Sequence, residues 1–251
     1  MRILFPLCGR AGSKGIKSKN VKPFLGQPLI YYTMSAIDLF LKKHPEIEAD
    51  IVASSDSEVL LDLAKNNPFG LEVELIERDP VLCGEVNSKG DAVADSYFKM
   101  RERKGIDYDM VIDMDIPSPL RTVQDIENLI ETHTSTGADM TFSVAPARRS
   151  PYFNMVAKTE HGYKRVIESN VTARQQAPET FDMNASLYAF KPSHLGIGKN
   201  HLNGYCEIIV MYDTGILDLD HENDFELMQV IAKHLYETKP EFAEVYEHLL
   251  K

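Results

Sequence analysis

The sequence predicts an α/β protein built on a mostly parallel sheet with helices on both faces. Three observations lead there. Strand and helix patterns alternate through the first 145 residues. The first apolar run, Ile3–Cys8, is continuous and ends at glycines, as a central parallel strand does. The chain has 251 residues, 43% of them hydrophobic, enough to bury a sizeable core.

The elements follow in order. After Ile3–Cys8, Pro28 opens a helical pattern in which Ile30, Met34, Ile37 and Leu41 recur on one face, and proline suits a first helical turn. Asp50–Ser54 reads as a strand, followed by an acidic, Leu-rich helix from about Ser57 to Lys65. Glu72–Ile76 is a third strand, about Lys89 to Lys104 a helix, and Met110–Asp115 a further strand. Thr122 to Glu131 reads as a helix with Thr122 capping and Asp125 three residues on, as in a capping box. Met140–Ala145 is another strand.

The rhythm changes after Pro146. Met155–Lys158 and Tyr163–Ile167 flank Glu160-His161-Gly162, a hairpin pattern. Asn170 to Asp182 is polar without periodicity, Asn184–Phe190 is strand-like, Asp224 to Tyr236 is an amphipathic helix, and the tail is helical. Residues 146–183 lack the apolar content for a core of their own, so they read as an excursion from one domain spanning 1–251.

Lys and Arg number 27 against 38 Asp and Glu, a net charge of −11. That acidity argues against broad binding to nucleic acid or to an anionic membrane. Yet residues 1–37 hold six cations and no acid, leaving −17 for the rest. A basic opening on an acidic chain points to a local anion site. Three scattered cysteines, Cys8, Cys83 and Cys206, form neither a disulfide framework nor a C-x-x-C motif, which predicts reduced thiols and a cytoplasmic setting. No apolar run reaches 18 residues, so no membrane span is expected.

The first strand runs into Gly9-Arg10-Ala11-Gly12-Ser13-Lys14-Gly15, then Ile16-Lys17-Ser18-Lys19-Asn20. Such a loop can offer backbone N–H groups to phosphate oxygens, and it would sit at the carboxyl ends of the strands, where open α/β sheets bind ligands. It matches neither G-x-x-x-x-G-K-[ST] nor G-x-G-x-x-G. Two acidic pairs stand further on. Asp218-Leu219-Asp220, in an extended context, would point both carboxylates one way and suit Mg²⁺; read on their own, the same acids could be exposed residues capping the next helix. Asp113-Met114-Asp115 ends a strand aimed at the same rim, although Asp113 could instead be structural.

The run Arg10 to Asn20, followed by Gly26-Gln27-Pro28-Leu29-Ile30, closely resembles the opening of the acylneuraminate cytidylyltransferases, the CMP-sialic acid synthetase family. The strongest blocks are 3–32, 111–121 and 213–231. The resemblance implies a three-layer Rossmann-like fold of the nucleotide-diphospho-sugar transferase type. It implies Mg²⁺-dependent transfer of CMP from CTP to the anomeric hydroxyl of a 2-keto sugar acid, with release of pyrophosphate. By the same resemblance Arg10, Gly12, Ser13, Lys14, Gly15, Lys19, Asn20, Arg78 and Ser88 bind the nucleotide. Arg10, Lys19, Asp218 and Asp220 are the catalytic set, and Asp218 and Asp220, with Asp115, the metal set. Asp115, Arg174, Gln175, Gln176 and Asn184 fall in the sugar-binding positions. The Arg174 region implies a homodimer with a pocket formed partly across subunits.

Departures cluster at the acceptor. Asp115 stands where the sialic acid enzymes carry Gln, Pro117 replaces Thr, and Asp182 lies near a usual Arg. An ionised Asp only accepts hydrogen bonds. Asp115 could therefore face a different sugar or join the metal site, as in the related KDO-type enzymes. A KDO-like or legionaminate-like acceptor, another base, and a non-catalytic nucleotide-binding protein on the same fold remain alternatives.

Overall fold

The computed structural model describes residues 1–12, 15–16, 18–84, 88–216 and 219–251. Strand β1 (Arg2–Cys8) leads through a 3-10 turn at Lys19–Val21 into a minimal hairpin, β2 (Pro23–Phe24) and β3 (Gln27–Pro28), and then into α1 (Leu29–Lys43). There follow β4 (Glu48–Ser55), α2 (Glu58–Lys65), β5 (Val73–Glu77), α3 (Lys89–Lys104), β6 (Met110–Met114), α4 (Val123–Thr136) and β7 (Met140–Pro146). A hairpin of β8 (Val156–Thr159) and β9 (Gly162–Arg165) precedes β10 (Phe181–Phe190), β11 (Cys206–Val210), α5 (Glu222–Thr238) and α6 (Pro240–Leu249).

Seven strands form the main sheet in the order β11-β7-β10-β6-β1-β4-β5. Its ladders are parallel except for those of β10, which runs antiparallel to both β6 and β7. The chain thus adopts the α/β class its alternating pattern predicts. Strand β1 shows why a continuous apolar run was needed: successive side chains leave opposite faces of a strand. Ile3, Phe5 and Leu7 join the core shared with α1, α2, α4, α5 and α6, while Leu4 and Cys8 join a second core with Ala92, Val93, Tyr97 and Met100 of α3.

The second face positions the site. There α3 packs on β1 and β4. Over β7 and β10 the cover comes from the irregular segment after Phe190, which sends Leu195 into the same core. The α3 and α4 starts are built as capping boxes: Ser88 exchanges hydrogen bonds with Asp91, and Thr122 with Asp125.

Several details differ from the sequence reading. Pro28 does not enter the helix but precedes it with extended backbone, paired in β3, so α1 begins at Leu29. Strand β10 starts at Phe181, three residues earlier than its apolar pattern, with a register shift between Met183 and Tyr188 and Ala185 at φ 47°. Strand β11 was not anticipated, although four of its five residues, Cys206, Ile208, Ile209 and Val210, are apolar. Leu219 and Asp220 lie in irregular backbone, not a strand, although Leu219 still points inward. No helix among the described residues is long and apolar enough to cross a membrane.

Thr122 Oγ1 accepts from Asp125 N at 3.1 Å and lies 2.8 Å from Asp125 Oδ2. Thr122→Ala is expected to cost about 1 kcal/mol of stability, read as a lowered midpoint in urea titration with an unchanged slope.

Candidate functional site

The carboxyl ends of β1, β4, β5 and β6 meet at one rim, and the basic opening loop is pinned across it. Gly9 N donates to Ser54 O at 3.2 Å, Ala11 N to Asp56 Oδ1 at 2.6 Å, and Asn20 Nδ2 to Arg10 O at 3.1 Å. Two close approaches require glycine. A Cβ on Gly9 would lie 2.5 Å from Leu60 Cδ1, and one on Gly15 only 1.6 Å from Asp220 O. Gly15 therefore lets the basic loop lie directly against the acidic segment before α5. Lys19 Nζ, with its side chain 17% exposed, then sits 3.4 Å from Asp220 Oδ1, whose side chain is 63% exposed. So exposed a partner adds little to stability; the contact matters for position. Next to it Lys22 pairs with Glu222 and lies 4.4 Å over the Phe225 ring.

Two cavities open at this rim. The smaller, about 250 Å³, is lined by Arg10, Lys19, Asn20 and Arg78 among others. The larger, about 600 Å³, has Met140, Tyr188 and Phe190 on its walls with Asp91, Lys199 and His201. Ser88, Lys89 and Asp115 line both. Arg78 is buried and fixed by Ser54, donating from Nε to the hydroxyl at 3.3 Å and from Nη2 to the carbonyl at 2.6 Å. Ser88 spends its hydroxyl on the cap of α3. Burial pushes the Cys8 thiol beneath the smaller cavity up to about 11, so it is a neutral, unreactive thiol at pH 7.

The dividing wall is a compact charge cluster. Lys89 has a side chain 31% exposed, yet its ammonium is shut off from water, 2.6 Å from Asp113 Oδ2 and 3.1 Å from Asp115 Oδ1. Burial alone would lower its pKa, but Asp113 and then Asp115 raise it, so it stays charged. Burial raises the Asp113 carboxyl, against the pull of Lys89. Behind them Arg121, 1% exposed, donates from Nη1 to Thr33 Oγ1 at 3.0 Å and from Nη2 to the Asp115 carbonyl. Its pKa is lowered to about 10 by burial, opposed by Asp115 and Asp113, which leaves it a cation at neutral pH.

The structure thus brings Arg10, Lys19, Asn20, Arg78, Ser88 and Asp115 around one cavity, with Gly15 and Asp220 at its edge. Gly12 is exposed in the loop. Ser13, Lys14 and Asp218 lie outside the described residues. Arg174, Gln175 and Gln176 form a 3-10 turn that lines neither cavity; Arg174 Nη2 donates to Ala147 O at 2.7 Å, and Gln176 Oε1 accepts from Thr172. Asn184 is buried, accepting from Ser143 Oγ at 2.6 Å, and faces a separate crevice. Sequence reasoning missed Lys89, Lys199 and His201. A signal for Lys89 existed: a cation in the first turn of a helix opposes the helix dipole, which flags a partner elsewhere. His201 is buried with Nε2 lacking a described partner, and its ring leaves room for no side chain at Gly90.

The chain is similar to known proteins over most of its length. The family described as Cytidylyltransferase matches residues 7–234. The CMP-N,N'-diacetyllegionaminic acid synthase of Campylobacter jejuni is 31% identical over 91% of this chain and 94% of its own. The post-translational flagellin modification protein B of Campylobacter coli is 30% identical over 92% and 95%. A solved structure of CMP:2-keto-3-deoxy-manno-octonic acid synthetase complexed with CTP superposes with a TM-score of 0.64 at 13% identity, covering 93% of this chain and 99% of that one, a likeness of fold.

Gly15→Ala is expected to destabilise by about 1–3 kcal/mol, because backbone must move. Gly12→Ala, where an added methyl meets nothing within 4 Å, should stay within about 0.5 kcal/mol. Denaturant titration of the two variants side by side checks both.

Proposed function

This chain belongs to the cytidylyltransferase family, and we propose that it transfers CMP from CTP to the anomeric hydroxyl of a nonulosonic acid, with pyrophosphate leaving. The observation that carries this reading is the pair of adjoining cavities, one basic and one largely apolar, meeting at Ser88, Lys89 and Asp115. The smaller takes the nucleotide: loop N–H groups, Arg10 and Lys19 receive the phosphates, and the immobilised Arg78 faces the nucleoside. The larger takes the sugar acid, whose hydroxyl meets the α-phosphorus at the shared wall. Such a site works by alignment and charge neutralisation, with little proton chemistry for the protein to do.

Mg²⁺ belongs to this proposal. When bound, it would neutralise phosphate charge and polarise the phosphoryl oxygens. Asp220 fits that ion as an exposed, hard oxygen donor beside the phosphate loop, with Asp218 as the second proposed ligand.

Met140, Tyr188 and Phe190 favour an acceptor carrying acylamido or deoxy groups over a bare polyol, in keeping with the diacetyllegionaminic acid named for the Campylobacter jejuni relative. We further propose a homodimer. Among the described residues strands β8 and β9 pair only with each other, and the hairpin exposes Val156 and Tyr163, the latter 73% exposed. A partner there would also bring the Arg174–Gln176 turn towards a site.

Lys19→Ala and Asp220→Asn are each expected to slow turnover by about a hundredfold or more, since loss of one placed electrostatic group costs roughly 2.7–4 kcal/mol of barrier. The assay is pyrophosphate release across a panel of nucleoside triphosphates and 2-keto sugar acids. Near-wild-type rates in either variant would sink the assignment, and turnover with a triphosphate other than CTP would redirect it. Sedimentation should give about twice the 28.4 kDa chain mass; a monomer at micromolar concentration would remove the dimer.

A further inference from the structure

The larger cavity carries one polar group that the reaction described above leaves unused, the His201 imidazole. The cavity runs down one sheet face from the wall it shares with the smaller one. Alternate residues of a strand share a face, and Tyr188 and Phe190 of β10 stand opposite Asp113 and Val111 of β6. Phe190 is thus four residues below Asp115, or about 13 Å along the strand. His201 stands at that far end, its ring edge-on to Phe190 with centroids 5.3 Å apart. It is 8% exposed, its Nε2 is shut off from water, and neither ring nitrogen has a hydrogen-bond partner among the described residues. Burial, then His194 and Lys199, hold its pKa below the usual histidine value, so the ring is neutral at pH 7. A buried polar group without a partner is costly, and a ligand that supplies one is favoured.

The ring is also held in place. Lys199 Nζ, which can only donate, lies 3.0 Å from His194 Nδ1, so His194 carries its proton on Nε2 and donates it to His201 O at 2.9 Å. Gly198 N donates to Asp91 Oδ1 at 2.6 Å, tying the same segment to α3. On α3 the ring meets Gly90, where a Cβ would lie 2.9 Å from both Nδ1 and Cε1. Gly90 lines the larger cavity as well, so its missing side chain leaves the Nδ1 edge of the ring bare on that side. The rest of this end is apolar, with Met140, Phe190 and Leu202. We propose that His201 is a specificity-determining residue that hydrogen-bonds an acylamido group of the acceptor, carried on a carbon remote from the anomeric centre. This deepens the reaction proposed above and rests on it. A neutral imidazole offers one donor and one acceptor, as a secondary amide does, so each can satisfy the other, while the apolar wall suits the acyl chain. The reacting end of the sugar stays at the shared wall, where its hydroxyl must meet the phosphorus.

The test reads binding, with turnover as a separate arm. The full chain is saturated with CMP, and pairs of 2-keto sugar acids that differ only in an acylamido or a hydroxyl group at a remote carbon are titrated by calorimetry. His201→Leu is expected to raise Kd for the acylamido acid by about tenfold or more, the scale of a buried amide left unpaired. Its Kd for the hydroxyl acid and for CMP should stay within about threefold of wild type. Equal losses for both acids, no loss for either, or no binding of either acid to wild type overturn the proposal. His201→Gln, which keeps a donor and an acceptor, should recover most of the preference, and a Gln variant no better than Leu also counts against it. Should Leu fail to fold, the nitrogen resonances of the isotope-labelled wild-type imidazole decide. They should move on addition of the acylamido acid and stay in place with the hydroxyl acid; the same response to both overturns the proposal. Binding that depends on His201, without pyrophosphate release from CTP and either acid, would sink the functional reading and leave this assignment standing. Turnover with the same kcat/KM ratio between the two acids in wild type and His201→Leu would sink this assignment alone.

Discussion

Lys89 reaches from the first turn of α3 to the carboxyl end of β6, its ammonium 2.6 Å from Asp113 and 3.1 Å from Asp115. Two unfavourable terms meet at that atom. The ammonium has lost its water, and it opposes the dipole of its own helix. The carboxylates offset both. The Ser88–Asp91 capping box sets where α3 begins, and both cavities divide at Ser88, Lys89 and Asp115. Removing one member would strand a buried charge, a change that typically costs about 3–5 kcal/mol, so the cluster is held as a unit.

The two ends of the chain are joined at the opposite side of the smaller cavity. The basic opening segment contacts the acidic approach to α5 through Lys19 with Asp220, Lys22 with Glu222, and Leu25 N with Gln229 Oε1 at 3.2 Å. The six positive charges of the first 37 residues and the surplus acid elsewhere are therefore not independent features of composition. They are partly matched across the fold, and Arg10 and Lys19 line the smaller cavity.

Much of this was legible beforehand because it is local. Strand β1 shows its burial on both faces as an unbroken apolar run, α3 spans the residues its pattern delimits, and Thr122 with Asp125 spells its own cap. Arg10, Lys19 and Asn20, which meet at the smaller cavity, were legible for the same reason, since they lie within one loop. What was not legible depends on distant partners. Lys89 looks like a surface lysine until β6 is placed beside it. Asn184 looks polar and available until Ser143 and Met211 take up its amide. Arg174 looks suited to a carboxylate until its guanidinium is found on the Ala147 carbonyl.

The segment that closes the sheet over β7 and β10 is irregular chain, where α3 covers the neighbouring strands. Helix α3 is committed: its start is fixed by the Ser88–Asp91 capping box, and its face fills a core. The covering segment is tied to that helix by Gly198 N, which donates to Asp91 Oδ1 at 2.6 Å, and by the buried His201 ring against Gly90. Residues such as Lys199 and Leu202 border the larger cavity without contributing to the nucleotide side. Changes of length or chemistry between Phe190 and Cys206 would therefore reshape the larger cavity while leaving Arg10, Lys19, Asn20 and Arg78 of the smaller one in place.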